Sequence, residues 1–386
     1  MKKSMIVAAM LAMVATGANA KSATDSATIA KNKPVFTVVK QNPITSIKDQ
    51  NRSGTCWAYS TLSYFESEIL KHTGKTYDLS EMFVANKTYM DRATMAVRMH
   101  GDVSFSQGGS AYDVLYALQH YGIVPEGAMP APGTLTGDSL ANFGEFFDVM
   151  TPYVEAVAKS NAKKISSAWK SGLQGIIDSY IGKTPEKFTY QGKQYTPQSF
   201  CQSLGLNLDD YVTITSYTHH PMWSKFAVEV QDNWRWPLSY NVPMDDLCKI
   251  IDNAINNGYT IAWGGDVTED GFTRKGLGIA YDVKKVRSMA GTDADHWFKL
   301  SKDEKKEKFD SLGVNAPEVV PTQAMRQEAF DNWETTDDHG MHIYGIAKDQ
   351  NGKEYYMVKN SWGEYGDYKG TWYMTCLLYT SPSPRD

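Results

Sequence analysis

The chain has 386 residues, 39 of them basic and 44 acidic, with 42% hydrophobic and 22% charged positions. That composition can bury a core, which excludes disorder as the main state, and the length accommodates two compact domains or one large domain with an insertion. A formal charge of −5 argues against a sequence-independent hold on nucleic acid, which needs clustered Lys and Arg.

Both ends are set apart before the elements are read. Residues 1–20 have the make-up of an export signal: Lys2 and Lys3, an apolar run from Met5 to Val14, and Ala18-Asn19-Ala20 as a small-residue cleavage site. The expected location is therefore periplasmic or secreted. Lys21, not cysteine, follows the cleavage site, which argues against lipid attachment through a new N-terminal thiol. At the other end, Cys376 to Asp386 changes character abruptly, and one legal back-translation of it reproduces the transposon end and adapter of common sequencing libraries. Residues 376–386 are read as a run-on into adapter. Without both ends the balance is 36 basic to 43 acidic residues, a net charge of −7. No further apolar stretch reaches about twenty residues, so no membrane span is expected. Cys56, Cys201 and Cys248 remain, an odd number that leaves at least one thiol unpaired.

In chain order, 21–33 is a polar, small-residue leader, and Val35 to Ile47 is a β-branched run broken by Pro43. A turn-rich stretch from Asp49 to Thr55 ends at Cys56. Ala58, Leu62, Phe65 and Ile69 then recur at helical spacing until Gly74. A second helix is expected over Ala111 to Tyr121, before Gly122, and a third helical region over Phe143 to Ile181, interrupted at Pro152. Gln191-Gly192 predicts a hairpin within Phe188 to Tyr195, and Val212 to Ser216 and Phe226 to Val230 have strand composition. Another helix is expected over Met244 to Asn256, then a strand over Tyr259 to Trp263. Strands His339 to Ala347 and Glu354 to Lys359 flank the turn signal Asn351-Gly352, and Gly370 to Met374 has strand composition. Helices early and strands late predict an α+β chain.

Cys56 opens an amphipathic helix, where the positive end of the helix dipole should favour a thiolate. A nucleophilic thiol also needs an imidazole to take its proton, a group to orient that imidazole, and donors facing the developing oxyanion. Two histidines compete for the first role. His339 and His342 stand three apart on one predicted strand and so point to opposite faces. The same geometry weakens a zinc reading of Asp337, Asp338, His339 and His342, whose side chains would not converge. His219-His220 before Pro221 reads as a polar turn, and no metal or cofactor is expected.

Taken together, four segments resemble papain-like cysteine peptidases in the right chain order. Gln50 to Ser60 resembles the nucleophile segment, with Gln50 six residues before Cys56 as the oxyanion-hole glutamine. Gln107-Gly108-Gly109 resembles the glycine pair along which a substrate backbone lies, making Gly108 and Gly109 the expected substrate-binding residues. Asp338 to Gly345 resembles the histidine strand, which selects His339. Asn360-Ser361-Trp362-Gly363 resembles the asparagine motif, with Asn360 orienting the imidazole and Trp362 shielding that bond from water. Leu79-Ser80-Glu81 is similar to another recurrent, structural segment.

Departures from papain narrow the branch. Ser53 and Ser106 stand where secreted members carry a disulfide, and the Cys56 to His339 interval is far longer than papain requires. Both features, with Thr218-His219-His220-Pro221, Asn257-Gly258-Tyr259 and Trp263 to Asp266, are similar to the bleomycin hydrolase/aminopeptidase C branch. The resemblance implies a papain-like two-lobed α+β fold with helical and hook-like insertions. The expected organisation is a leader over 21–40, a helical lobe with the nucleophile over 41–125, an insertion over 126–240, and a β lobe with His339 and Asn360 over 241–375. Cys201 and Cys248 either pair or stay as buried thiols. The resemblance further implies peptide substrates and makes a homo-oligomer an expectation. It favours removal of N-terminal residues, with an endopeptidase or a non-catalytic peptide-binding protein of the same fold as rivals. In that branch the chain's own C-terminus gates the cleft, and the segment that would do so here is not legible.

Overall fold

The computed structural model describes residues 33–132, 140–268, 271–282 and 311–375, together with 285, 301 and 304. The export signal, most of the leader and residues 376–386 lie outside the described residues.

The first half is helical. Helix α1 (Cys56–Thr73) ends as expected at Gly74, whose φ of 68° closes the last turn. Helix α2 (Glu81–Arg98) was not expected: twelve of its residues are buried, including Arg92, Asn86 and Thr88, so it lacks a polar face from which to read a period. Helix α3 (Ala111–Tyr121) has the expected bounds and starts with a Ser110/Asp113 capping box. Within the third helical region, Pro152 does not interrupt α4 (Gly144–Ala158). Pro152 leaves the carbonyl of Asp148 without an amide, but Asp148 is exposed, where water can serve that carbonyl. The break comes later, before α5 (Ala168–Ile181).

A hairpin follows, β2 (Phe188–Tyr190) and β3 (Lys193–Tyr195), with Gln191 and Gly192 both at positive φ as a two-residue turn demands. Helix α6 (Pro197–Ser203) leads to a small sheet of β4 (Ile214–Thr215), β5 (Ser224–Phe226) and β6 (Ser239–Asn241). The second of these strands lies ahead of the expected 226–230, because Val230 N–H turns back to Val228 O.

Helix α7 (Met244–Asn256) has the expected bounds, and β7 (Ile261–Gly265) and β8 (Leu277–Gly278) come next. After α8 (Gln323–Asp331), the large sheet is completed by β9 (His339–Lys348), β10 (Glu354–Lys359) and β11 (Thr371–Thr375). Strand β9 is its centre. One edge pairs with β10; the other is shared by β7, along 339–343, and by β1 (Thr37–Gln41), along 345–348. Residues 37–40, at the end of the expected leader and within the β-branched run, are thus part of a strand of the sheet.

Two cores result. One apolar cluster runs without interruption from Trp57 to Leu204, so the helices of 144–204 share it with α1 to α3. The other, from Val242 to Met374, joins the large sheet to α7. Gly340 brings the two together. A Cβ there would lie 2.7 Å from Ser60 Oγ and 3.2 Å from Cys56 O, so only glycine lets the start of β9 lie against the first turn of α1.

Candidate active site

That close approach puts His339 beside Cys56. Both line a cleft of about 900 Å³ together with Gln50, Gly108, Gly109 and Gly340. Five of the sequence-predicted residues thus meet in one cavity, and Asn360 and Trp362 stand behind the imidazole.

His339 Nε2 lies 2.7 Å from Asn360 Oδ1, and the backbone N–H of Ser361 donates to the same oxygen at 2.7 Å. The second bond identifies the atom: a backbone N–H faces an acceptor, so the group facing His339 is the amide oxygen. Nε2 must therefore carry the proton, leaving Nδ1 with its lone pair. The Trp362 ring covers His339, with centroids 4.7 Å apart, and keeps water from the imidazole–amide bond. His342 points the other way, wholly buried, with Nδ1 2.9 Å from Ser63 Oγ. Its Nε2, like Asn360 Nδ2, has no partner among the described residues.

Gln50 is clamped from two sides. Its Oε1 accepts from Ser361 Oγ at 2.6 Å, and its Nε2 donates to Ser53 O at 2.7 Å, which leaves one amide hydrogen for the cleft. Ser53, at the position of the absent disulfide, instead closes this turn by donating to Gln50 O. The glycine pair is tied to the nucleophile segment. Gln107 Oε1 accepts the Gly54 N–H at 2.7 Å, and Trp57 Nε1 donates to Gln107 O at 3.1 Å. Gly109 is needed because a Cβ would strike the Trp57 ring.

The electrostatics correct one expectation. Burial pushes the Cys56 thiol up to about 12, helped by Asp337 and Asp232, and this outweighs the backbone groups of Gly340 and Trp57 that favour the thiolate. Burial likewise pulls His339 down to about 4, against the hydrogen bond that it donates to Asn360. Burial thus opposes each charged form taken singly, and the helix terminus alone does not offset that cost for the thiol. Asp338, next to His339, is raised to about 7 by burial and by neighbouring Asp266 and Asp337, despite the Val267 N–H that it accepts.

Sequence reasoning missed a buried ionic frame behind the site. Lys48 Nζ reaches Glu81 at 2.8 Å, Asp78 at 2.6 Å and Glu66 at 3.4 Å, and donates to Leu79 O. Burial alone would lower Lys48, but these carboxylates hold it well above its ordinary value. Lys359 is pulled down to about 8 by burial and donates to Thr45. Two signals were available: Lys48 lies two residues before Gln50, and Lys359 directly before Asn360. Ser80 and Glu81 of the Leu-Ser-Glu segment turn out to cap α2 and to hold Lys48.

Cys201 and Cys248 are not bridged, and Cys201 instead packs in the helical core with its thiol 3.6 Å from Leu118 O. His219 and His220 are more than a polar turn: their Nε2 atoms lie 3.0 and 2.8 Å from the two oxygens of Glu229, and these three groups have the spacing of metal ligands.

Comparison with known proteins agrees with this geometry. The chain is similar to aminopeptidase G of Lactobacillus delbrueckii subsp. lactis (23% identity, 86% of this chain and 78% of that protein). It is also similar to aminopeptidase C of Lactobacillus helveticus (24%, 89% and 81%). The crystal structure of PepW from Lactobacillus rhamnosis superimposes with a TM-score of 0.66 over 92% of this chain and 82% of that one, at 19% identity, which shows the papain-like fold. The sequence profile of the Peptidase C1-like family matches residues 2–316. His339 and Asn360 lie beyond that span, and their pairing rests on the geometry alone. With fold, profile and relatives in agreement, the chain belongs to the Peptidase C1-like family, in its bleomycin hydrolase/aminopeptidase C branch, and is a cysteine-type peptidase.

Proposed function

We propose that the protein is an exported cysteine aminopeptidase acting through a thioester. The observation that carries the mechanism is the Nε2–Oδ1 bond between His339 and Asn360, because it leaves Nδ1 as the only basic nitrogen. The thiol proton goes to that nitrogen. Cys56 Sγ attacks the peptide carbonyl carbon while its proton passes to His339 Nδ1. The carbonyl oxygen becomes an oxyanion, met by the remaining Gln50 Nε2–H and the Cys56 backbone N–H. Collapse expels the amine, which takes the proton from Nδ1, and leaves an acyl-thioester. Water, deprotonated by Nδ1, then attacks the thioester, releasing the acid and returning the thiol. Asn360 keeps the ring in plane throughout, and Trp362 keeps its bond dry.

The aminopeptidase reading is supported by the names of the relatives and by the acidic cleft, which suits a positively charged peptide end. Hydrolysis of a fluorogenic peptide with a free amino end is compared with its N-acetylated twin, using Cys56→Ala as the blank. Preference for the free amine is expected. Equal rates would make the enzyme an endopeptidase, and no rate above the blank would leave a peptide-binding protein. Export rests on the composition of residues 1–20 and is checked by N-terminal sequencing, which should begin at Lys21.

A further inference from the structure

Five aspartates line the cleft, at 209, 210, 232, 337 and 338, and Lys225 is the one basic residue among its described lining. Walls of one sign in a low-dielectric cleft concentrate ions of the other, so this cleft selects cations. The proposed chemistry then orients the ligand. His339 must hand its proton to the leaving amine, so residues beyond the scissile bond lie on its side. The acyl portion, with the substrate's N-terminus, runs the other way, toward Gly108 and Gly109.

Of the five carboxylates, Asp232 stands at that glycine pair: a Cβ on Gly108 would overlap its Oδ2. Its two oxygens are used differently. Oδ1 takes Arg92 Nη1 at 3.0 Å and Ser106 Oγ at 3.5 Å, whereas Oδ2 receives no hydrogen bond among the described residues. Arg92 is wholly buried, and the same Nη1 donates to Gly108 O at 2.6 Å. One guanidinium thereby sets the spacing between carboxylate and glycine. Three residues on, Arg235 reaches Asp91 of α2 and Asp113 of α3, each at 2.7 Å, and fixes the segment to the helical side. The carboxylate is held in place before any ligand arrives, so little is lost in ordering it.

We propose that Asp232 Oδ2 binds a primary ammonium of the substrate, the α-amine of a peptide N-terminus, and so sets where cleavage falls. This rests on the aminopeptidase reading and names the group that would enforce it. A lysine side chain offers the same ammonium, and the test separates the two.

Wild type, Asp232→Asn and Asp337→Asn are assayed on three peptides: one with a free α-amine and neutral side chains, its N-acetylated twin, and an N-acetylated peptide carrying lysine at the first position. Wild type should prefer the first. Asp232→Asn should lower kcat/KM on the first by about 10- to 100-fold, mainly through KM, and leave the second unchanged, the loss expected for one hydrogen bond to a charged group. Asp337→Asn should keep the wild-type ratio. Alkylation of Cys56 by iodoacetamide at no less than the wild-type rate reports that the site survived, since loss of the Asp232 charge can only favour the thiolate. If Asp232→Asn fails that check, Asp232→Ser, which keeps an oxygen for Arg92, takes its place with the same expected loss. A wild-type preference that persists without the carboxylate overturns the proposal and leaves the aminopeptidase reading standing. Equal wild-type rates on the first two peptides sink that reading. A loss then confined to the lysine peptide overturns the α-amine assignment in favour of the side chain.

Discussion

Asn360→Ala removes one acceptor from one hydrogen bond, and the structure says which state that bond serves. With the ring neutral, the form that burial favours by holding His339 down to about 4, its Nε2–H makes an ordinary bond at 2.7 Å. Once Nδ1 takes the thiol proton the ring is an imidazolium, and the same bond becomes charge-assisted. Such bonds contribute about 1.5–3 kcal/mol. Only the gain over the ordinary bond counts toward kcat, about 0.5–2 kcal/mol, a fall of roughly 2- to 30-fold at 1.36 kcal/mol per decade. A second, separable cost falls on the folded state, since the Ser361 N–H also loses its acceptor, on the order of 1 kcal/mol of stability. The assay is kcat and KM on the free-amine peptide, with urea unfolding alongside. Asn360→Asp is the control, because a carboxylate keeps the acceptor and favours the imidazolium. It should raise the His339 pKa, so the acid limb of kcat/KM moves to higher pH. A kcat for Asn360→Ala equal to wild type would refute the assignment, since Asn360 would then do no more than pack.

Three further outcomes are expected. His339→Ala should abolish turnover of that peptide while His342→Ala leaves most of it; the reverse result would exchange their roles. The second variant also reports on pH: buried His342 is held well below its ordinary value, whereas the unfolded imidazole takes a proton below about pH 6.5. Wild type therefore loses up to about 1.4 kcal/mol per pH unit from this group as pH falls, a loss the variant lacks, so the difference in urea-unfolding free energy should narrow from pH 7 to pH 5. A constant difference would show that His342 protonates freely in the fold. Lys48→Met strips the shared cation from Glu66, Glu81 and Asp78, and should cost about 3–5 kcal/mol in urea unfolding; a loss below about 1 kcal/mol would mean the frame is hydrated and loosely coupled.

How far the sequence could be read depended on where each residue's constraint lies. Where one face of an element meets the core and a glycine ends it, as in α1 before Gly74 and α3 before Gly122, the period and the stop are both written in the chain. The hairpin of β9 and β10 is legible for the same kind of reason: Asp349 Oδ1 takes the Asn351 and Lys353 N–H groups to shape the turn. Helix α2 was missed because it is buried nearly all round, its polar residues turned inward: Arg92 to Gly108 and Asp232, Asn86 to Asp178, and Glu81 to Lys48. The thiol's raised pKa escaped notice because helix polarity is local, while the burial that overrides it is a property of the folded chain. Spacing within motifs found Gln50, Cys56, His339 and Asn360. Asp232 belongs to no motif, and only the fold brings it to Gly108.

The central place of β9 also governs when the enzyme becomes an enzyme. Strand β1 and the first turn of α1 both rest on β9, which is made about 280 residues after Cys56. At roughly 5–20 residues per second of synthesis, a nascent chain carries its nucleophile for about 15–60 s before the base exists. During that interval Cys56 is an ordinary thiol with nothing to take its proton, and β1 has no strand to pair with. Any chain cut short before residue 339 stays in that state, so an interrupted product is proteolytically inert without an inhibitor to silence it.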